Sequence, residues 1–226
     1  MKAITRFTSS FLYTFARTGF SVPGFKTLIH TGLQLSNAYQ PSTEPFVGMK
    51  AVVRLAISSA LVALALVIAP VAWFAWGPTK AFPGQHLVNA VAGVIVGPLW
   101  AAIIATVVGT LRIMMGVGTI FAYPGGLPGG VVVGAAYKLL KKVTSRRRAL
   151  LLAALTEPLG TVLVGGTLAW FIFDPLFAGM SLQARFGSIL WLYAGWSLSS
   201  VAGGVLGAAC LLVIDRVGLL DLLKAG

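Results

Sequence analysis

Residues 82–98 read FPGQHLVNAVAGVIVGP, an apolar run that opens with Gln85 and His86 and carries Asn89 one helical turn later. Three hydrogen-bonding side chains are costly near the start of a helix surrounded by lipid. Gln85, Asn89 and Gly93 recur at a spacing of four residues, which places them on one helix face. We therefore predict that this face looks into a helical bundle. The alternative is that Gln85 and His86 cap the helix and contact lipid headgroups.

The composition of the whole chain is typical of an integral membrane protein. Of its 226 residues, 58% are hydrophobic and 10% are charged, against about 25% charged in soluble domains. The 17 Lys and Arg against 5 Asp and Glu would favour nucleic-acid binding in a soluble protein. Here most cations lie in short loops between apolar runs and indicate topology, so no nucleic-acid partner is expected. One cysteine, Cys210, and two histidines are too few for a disulfide framework or a metal site, and no cofactor is expected.

Six apolar runs are candidate membrane spans, because about 20 apolar residues cross a bilayer as a helix. The runs do not alternate as barrel strands do, so we predict an all-α integral membrane protein, a six-transmembrane-helix bundle. Gly97-Pro98 alone separates the second run from the third and predicts a tight turn. The predicted spans are residues 52–74, 84–97, 98–115, 124–141, 148–173 and 186–214.

The basic residues predict the orientation of the chain, because cytoplasmic loops are enriched in Lys and Arg. With the first span starting inside, the inner loops hold Lys50, Arg54, Lys138, Lys141, Lys142, Arg146, Arg147, Arg148, Arg216 and Lys224. The outer loops hold Lys80, Arg112 and Arg185. We therefore expect a multi-pass protein of the cell membrane with both termini in the cytoplasm, and outer loops at residues 75–83, 116–123 and 174–185.

Residues 1–48 differ from the rest of the chain, because they are rich in Ser, Thr and aromatic residues and contain no run long enough to span. They are either a basic amphipathic surface or targeting segment, or sequence translated ahead of a start at Met49. Met49-Lys50 followed by an apolar stretch favours the second interpretation. We predict an extension at 1–48, disordered or outside the native core, and a six-helix membrane domain at 49–226.

Two of the charged residues within the predicted spans, Arg112 and Glu157, are candidates for a functional site. Arg112 shares a helix face with Ala105 and Gly109 and is predicted to project into the bundle near its outer end; the alternative is that it reaches the headgroups. Glu157 is the only acidic residue inside a span, about 15 Å from the inner end at 1.5 Å per residue. A carboxylate at that depth costs about 3 kcal/mol and is a functional candidate.

The residues around Glu157 suggest the shape of the site. Pro158 removes a backbone donor and is predicted to kink the helix, and Thr161 shares the face of Glu157. Glu157 is therefore predicted to accept a hydrogen bond from a ligand; alternatively it is a structural partner of Arg112 or of a buried amide. The last span and the opposing loop supply aromatic rings, either for the interfacial belt or as stacking walls for a flat heteroaromatic ligand. The candidate site comprises Gln85, His86, Asn89, Arg112, Tyr123, Glu157, Thr161, Trp191 and Trp196.

The sequence carries no nucleophile elbow, no HExxH motif, no phosphate-binding loop and no pair of intramembrane carboxylates. We therefore do not expect an enzyme. A transporter that drives itself with ATP is also excluded, because no loop could hold the nucleotide phosphates.

Three motifs resemble, in order, the ThiW family, the thiazole-precursor substrate-binding subunits of energy-coupling factor (ECF) transporters: QHLVNAVAGVIVGPLWA, GTLRIMMGVGTIFAYPGGLPGGVVVGAAY and TEPLGTVLVGG. The resemblance covers about residues 50–215. It implies a six-helix protein that captures hydroxyethylthiazole, a thiamin precursor, from outside. It also implies a transmembrane coupling subunit and two ABC-type ATPases as partners, with Ala56 and Ala60 on the surface that docks against the coupling subunit.

Other functions remain as alternatives. The same architecture could serve another vitamin, such as thiamin or its pyrimidine half. A non-transport membrane bundle or a membrane-embedded enzyme is the alternative from a different class.

Overall fold

A computed structural model describes residues 49–77 and 79–221. The extension predicted at residues 1–48 lies outside the described residues. The helices and strands of the described part are α1 (Met49–Ile68), β1 (Phe74–Trp76), β2 (Thr79–Ala81), α2 (Pro83–Ile95), α3 (Pro98–Met114), α4 (Ala122–Val143), α5 (Arg146–Ala154), α6 (Gly166–Leu168), α7 (Asp174–Phe177), α8 (Ser181–Phe186) and α9 (Ile189–Arg216). Two π-helical stretches, Leu159–Gly165 and Ala169–Phe173, flank α6.

The fold is that of an all-α membrane protein, as predicted. Three helical segments of the described residues are long and apolar enough to cross a bilayer: Ala51–Ile68, Arg146–Phe177 and Ile189–Arg216. Large apolar side chains such as Leu55, Val67 and Phe171 are exposed on the outside of the bundle, where lipid replaces water as the favourable neighbour. The count of six spans and the cytoplasmic termini remain predictions.

The turn between α2 and α3 forms where it was predicted. Gly97 has a φ of 90°, a conformation that costs glycine nothing, and Pro98 then begins α3, a position at which its missing N–H is not needed. The predicted bounds of these two helices agree with the observed ones to within two residues.

Helix α2 lies at the centre of the bundle and packs closely against α4 and α9. A Cβ on Gly93 would come within 2.7 Å of the Gly130 carbonyl oxygen and 2.9 Å of the Gly134 nitrogen. A Cβ on Gly203 of α9 would likewise overlap the side chain of His86. The small residues spaced by four along α4 and α9 thus bring helix backbones together within the chain.

The first span and the loop after it differ from the prediction. Helix α1 ends at Ile68 rather than near residue 74, because Pro70 lacks the N–H that would continue the helix. Phe74–Trp76 and Thr79–Ala81 then pair as an antiparallel hairpin in which Ala75 lies opposite Lys80. Aromatic residues and Thr favour strands, but Phe74 was predicted to end the span at residues 52–74 and the rest of the hairpin to form an outer loop.

The helical segment Arg146–Phe177, here called the broken helix, also differs from the predicted span at residues 148–173. Its first α-helical stretch ends at Ala154, and Leu155 and Thr156 form a turn. The segment is helical again from Glu157 and continues as a π-helix from Leu159. Proline provides no N–H for the preceding turn, and π-helical turns accommodate such interruptions. The structure shows a change of helix type beside Pro158, and the predicted kink at this residue remains a prediction.

The predicted outer loop at residues 174–185 is also largely helical, since it contains α7 and most of α8. Asp174 explains why α8 forms, because its carboxylate accepts hydrogen bonds from the backbone N–H groups of Leu182 (2.9 Å) and Gln183 (3.0 Å). Free N–H groups in the first turn of a helix need such acceptors.

Candidate functional site

A cavity of about 1050 Å³ lies at the end of the bundle that carries the hairpin. Its wall is formed by the hairpin, the start of α2, the loop between α3 and α4, the broken helix, α8 and α9. By the predicted orientation this end faces outward. The cavity brings together five of the nine predicted site residues: Gln85, His86, Arg112, Thr161 and Trp196.

Glu157 lies beneath this cavity and is fully buried. Its Oε1 lies 2.8 Å from His86 Nδ1 and accepts hydrogen bonds from Asn89 Nδ2 (3.1 Å) and Thr161 Oγ1 (2.7 Å). Its Oε2 accepts a hydrogen bond from Ser200 Oγ. Four side chains from three helical segments therefore satisfy the carboxylate, which offsets the cost of burying it. We call Glu157 and these four partners the buried polar cluster.

His86 links the buried polar cluster to the cavity. Its ring lines the cavity, and its Nδ1 faces the Glu157 carboxylate. An ionised carboxylate can only accept hydrogen bonds, so Nδ1 is assigned as the donor to Glu157 Oε1. Nε2 has no hydrogen-bond partner among the described residues and is not sealed from the cavity. A carboxylate that fixes one ring nitrogen in this way sets the role of the other.

Asn89 and Thr161 attach α4 to the buried polar cluster. Asn89 Nδ2 also donates to the Gly126 carbonyl oxygen (3.1 Å). Thr161 Oγ1, whose single hydrogen goes to Glu157, lies 3.2 Å from the Gly125 carbonyl oxygen. Asn89 is only 3% exposed and does not line the cavity. The helix face predicted to look inward does so. A direct contact of Asn89 or Glu157 with a ligand remains a prediction.

Arg112 projects into the bundle, as predicted from its helix face, and is 4% exposed. It donates to Gln85 Oε1 and, at 3.5 Å, to the Val117 carbonyl oxygen. Its guanidinium carbon lies 4.4 Å from the centre of the Phe82 ring. The alternative that Arg112 pairs with Glu157 is wrong, because the partners of Glu157 are the other members of the buried polar cluster. The other form of this alternative, in which Glu157 pairs with a buried amide, agrees with the structure, because Asn89 is one of the four partners of Glu157.

The aromatic residues divide between the cavity and other positions. Trp196 lines the cavity, whereas Trp191 is 65% exposed and borders a separate pocket of about 380 Å³. The hydroxyl group of Tyr123 lies 3.0 Å from Thr110 Oγ1, and Tyr123 does not line the large cavity. Whether Tyr123 and Trp191 contact a ligand remains a prediction.

Several residues of the site were not predicted. Ser199 and Ser200 form a hydroxyl pair within an otherwise apolar run, which is the signal that could have identified them. Ser199 Oγ accepts a hydrogen bond from the Phe82 backbone N–H (2.8 Å) and so fixes the start of α2. The residue before the hairpin, the hairpin itself and α8 contribute further cavity residues, which sequence periodicity could not place beside α2: Trp73, Lys80, Arg185 and Phe186.

Ala56 and Ala60, predicted to dock against a coupling subunit, lie on an exposed face of α1. Only 11% of the stretch Ala51–Ile68 is buried, so α1 lies at the edge of the bundle. No described part of the chain covers this small-residue face.

A multi-pass helical bundle with a large cavity at one end, a buried polar cluster beneath it and an aromatic wall is a membrane protein that binds or transports a small molecule. The family model for ThiW, the thiamine-precursor transporter protein, matches residues 55–217. The chain therefore belongs to the ThiW family of thiamine-precursor transporters, as its motifs predicted. It is a multi-pass protein of the cell membrane. No curated protein matches the chain.

Proposed function

We propose that this protein is the substrate-binding subunit of an ECF-type vitamin transporter and that it captures a thiazole precursor of thiamin, such as hydroxyethylthiazole, from outside the cell. The observation that carries the proposal is the position of His86, whose ring faces the cavity while Glu157 holds its Nδ1. An oriented imidazole can exchange a hydrogen bond with the heteroatoms of a small ring. Membership of the ThiW family supports the substrate class.

In the proposed site, different wall residues contact different parts of the ligand. Trp196 provides a flat apolar surface against which a heteroaromatic ring can stack. His86 Nε2, free of protein partners among the described residues, accepts a hydrogen bond from a hydroxyl group, and Gln85 is the next polar side chain along the wall. A few placed polar groups in an apolar cavity suffice for selective binding of a small molecule.

ATP-driven uptake in this proposal depends on partner subunits. The sequence carries no phosphate-binding loop, so two ABC-type ATPases supply the energy and a transmembrane coupling subunit transmits it. The exposed face of α1 at Ala56 and Ala60 supports docking of that subunit, because small residues allow close approach of helices.

Calorimetry on the purified protein in detergent tests the proposal. We expect saturable binding of hydroxyethylthiazole or a derivative that retains its ring, and weaker binding of the pyrimidine half of thiamin. His86→Ala should weaken thiazole binding by about tenfold or more, the loss expected for one hydrogen bond to a buried group. Saturable binding of the pyrimidine alone would assign the site to a different vitamin precursor.

A further inference from the structure

The wall of the large cavity is positively charged. Lys80 of the hairpin, Arg112 of α3 and Arg185 of α8 all line it, and none of the acidic residues in the described part of the chain does. Cations on the wall of a low-dielectric cavity attract anions strongly, because their field is screened less than in water.

The acidic residues of the described chain are all engaged elsewhere. Glu157 belongs to the buried polar cluster, and Asp174 caps α8. Asp215 and Asp221 lie 2.7 and 2.5 Å from the Arg146 guanidinium. Among the residues that the structure describes, no carboxylate is left to neutralise the three cations of the cavity wall.

Arg112 is the cation for which this lack of a partner costs most, because it is 96% buried (4% exposed). Its two described hydrogen bonds go to neutral oxygens, and its Nε has no partner among the described residues. The ring of Phe82 offsets part of this cost. A buried guanidinium without a counter-charge is nevertheless strongly unfavourable, so an anion beside it would be bound tightly.

We propose that the cavity takes an anionic ligand, a thiazole precursor that bears a phosphate or carboxylate group, and that Arg112 pairs with this group. Lys80 and Arg185, both exposed, lie on the cavity wall and draw the anion inward. The planar fork of a guanidinium suits either oxyanion. This inference rests on the proposed function, because the thiazole ring is assigned to the wall of Trp196 and His86.

The dimensions and the charge of the cavity both favour this ligand class over the alternatives. A volume of about 1050 Å³ exceeds what a single five-membered ring with a short side chain fills, and leaves room for an added anionic group. Intact thiamin carries a fixed positive charge and would be repelled by the three cations.

Calorimetry on the full chain in neutral detergent tests the inference by comparing hydroxyethylthiazole, its phosphate monoester and the matching thiazole acetic acid. At low salt we expect at least one anionic compound to bind roughly tenfold more tightly than the alcohol, as for hydrogen bonds made charge-assisted. Arg112→Gln should abolish that preference and affect the alcohol much less. Arg147→Gln, which removes an exposed cation from the opposite end of the bundle, is the matched control and should retain the preference.

The outcomes separate this inference from the proposed function. Equal or tighter binding of the neutral alcohol would overturn the anion assignment and leave the proposed function intact. Failure of all three thiazoles to bind would overturn both. If Arg112→Gln does not fold, Arg112→Lys is measured in its place. We expect Arg112→Lys to keep the preference for the anion, because lysine keeps the positive charge.

A lipid headgroup is the other source of the same anionic chemistry. Melting temperatures of the protein in nanodiscs distinguish a lipid headgroup from a soluble ligand. The three samples are phosphatidylcholine alone, phosphatidylcholine with phosphatidylglycerol, and phosphatidylcholine with the phosphate monoester added. We expect stabilisation by the monoester in phosphatidylcholine alone. Stabilisation by phosphatidylglycerol that depends on Arg112, with none from the monoester, would overturn the assignment to a soluble ligand.

Discussion

His86 Nδ1 and Glu157 Oε1 lie 2.8 Å apart beneath the cavity, although the two residues are 71 positions apart in the sequence. The contact joins α2 to the broken helix at the point where its α-helical hydrogen bonding is interrupted. Glu157 therefore has two consequences for the site. Its carboxylate accepts hydrogen bonds from polar groups that would otherwise be buried without partners, and it orients the His86 ring, which lies beside the cavity.

A double-mutant cycle tests whether Glu157 acts on ligand affinity through His86. We expect Glu157→Gln to lower affinity by about tenfold, near 1.4 kcal/mol, because the amide cannot accept from all four donors. In a His86→Ala background the same substitution should cost little further affinity. If the losses of ligand affinity from the two single substitutions add fully in the double variant, Glu157 contacts the ligand directly.

Gly129 should be required for the buried polar cluster to form. A Cβ at this position would overlap the Glu157 carboxylate and the Thr161 hydroxyl. Gly129→Ala is therefore expected to destabilise the protein by about 1–3 kcal/mol, as overpacking does, measured as a lower melting temperature in detergent. Gly125→Ala is the control, since its Cβ would meet the Trp196 ring at 3.5 Å, an ordinary contact. Equal melting temperatures for the two variants would contradict this role.

The exposed face of α1 should matter for uptake and not for binding. Ala56→Trp or Ala60→Trp places a bulky side chain where close helix approach is proposed, so uptake in cells should be lost while ligand affinity of the purified protein is unchanged. Ala135→Trp, on an exposed position of α4, is the matched control and should leave uptake intact. Normal uptake by both α1 variants would place the docking surface elsewhere.

Residues 1–48 are predicted to be dispensable for the membrane domain. A chain that begins at Met49 should insert into the membrane and bind its ligand with unchanged affinity, because the family match begins only at residue 55. Membrane fractionation followed by calorimetry measures both properties. Loss of binding in the shortened chain would show that the N-terminal segment contributes to the fold or the site.

Local patterns in the sequence were sufficient to predict the class of fold and several of its turns. Hydropathy predicts membrane helices because each span in lipid must form its backbone hydrogen bonds within itself, independently of the other helices. The turn at Gly97-Pro98 and the inward face of α2 depend on residues close together in the chain, and the structure confirms both. A disturbance of the helix at Pro158 was predicted, as a kink, for the same reason, whereas the π-helix that follows it was not predicted.

The arrangement of the site was decided by tertiary structure alone. Arg112 and Glu157 are the two charged residues of the predicted site, and the sequence left their pairing open as one alternative to a ligand contact of Glu157. Instead Glu157 lies with His86 below the cavity, whereas Arg112 lines its wall beside Gln85. Helix periodicity specifies which face a residue occupies and carries no information about which other helix that face meets or at what depth. Close packing of α2 against α4 and α9 through glycine contacts sets those distances. The packing thereby separates the hydrogen-bonded Glu157 carboxylate from Arg112, which has no carboxylate partner among the described residues.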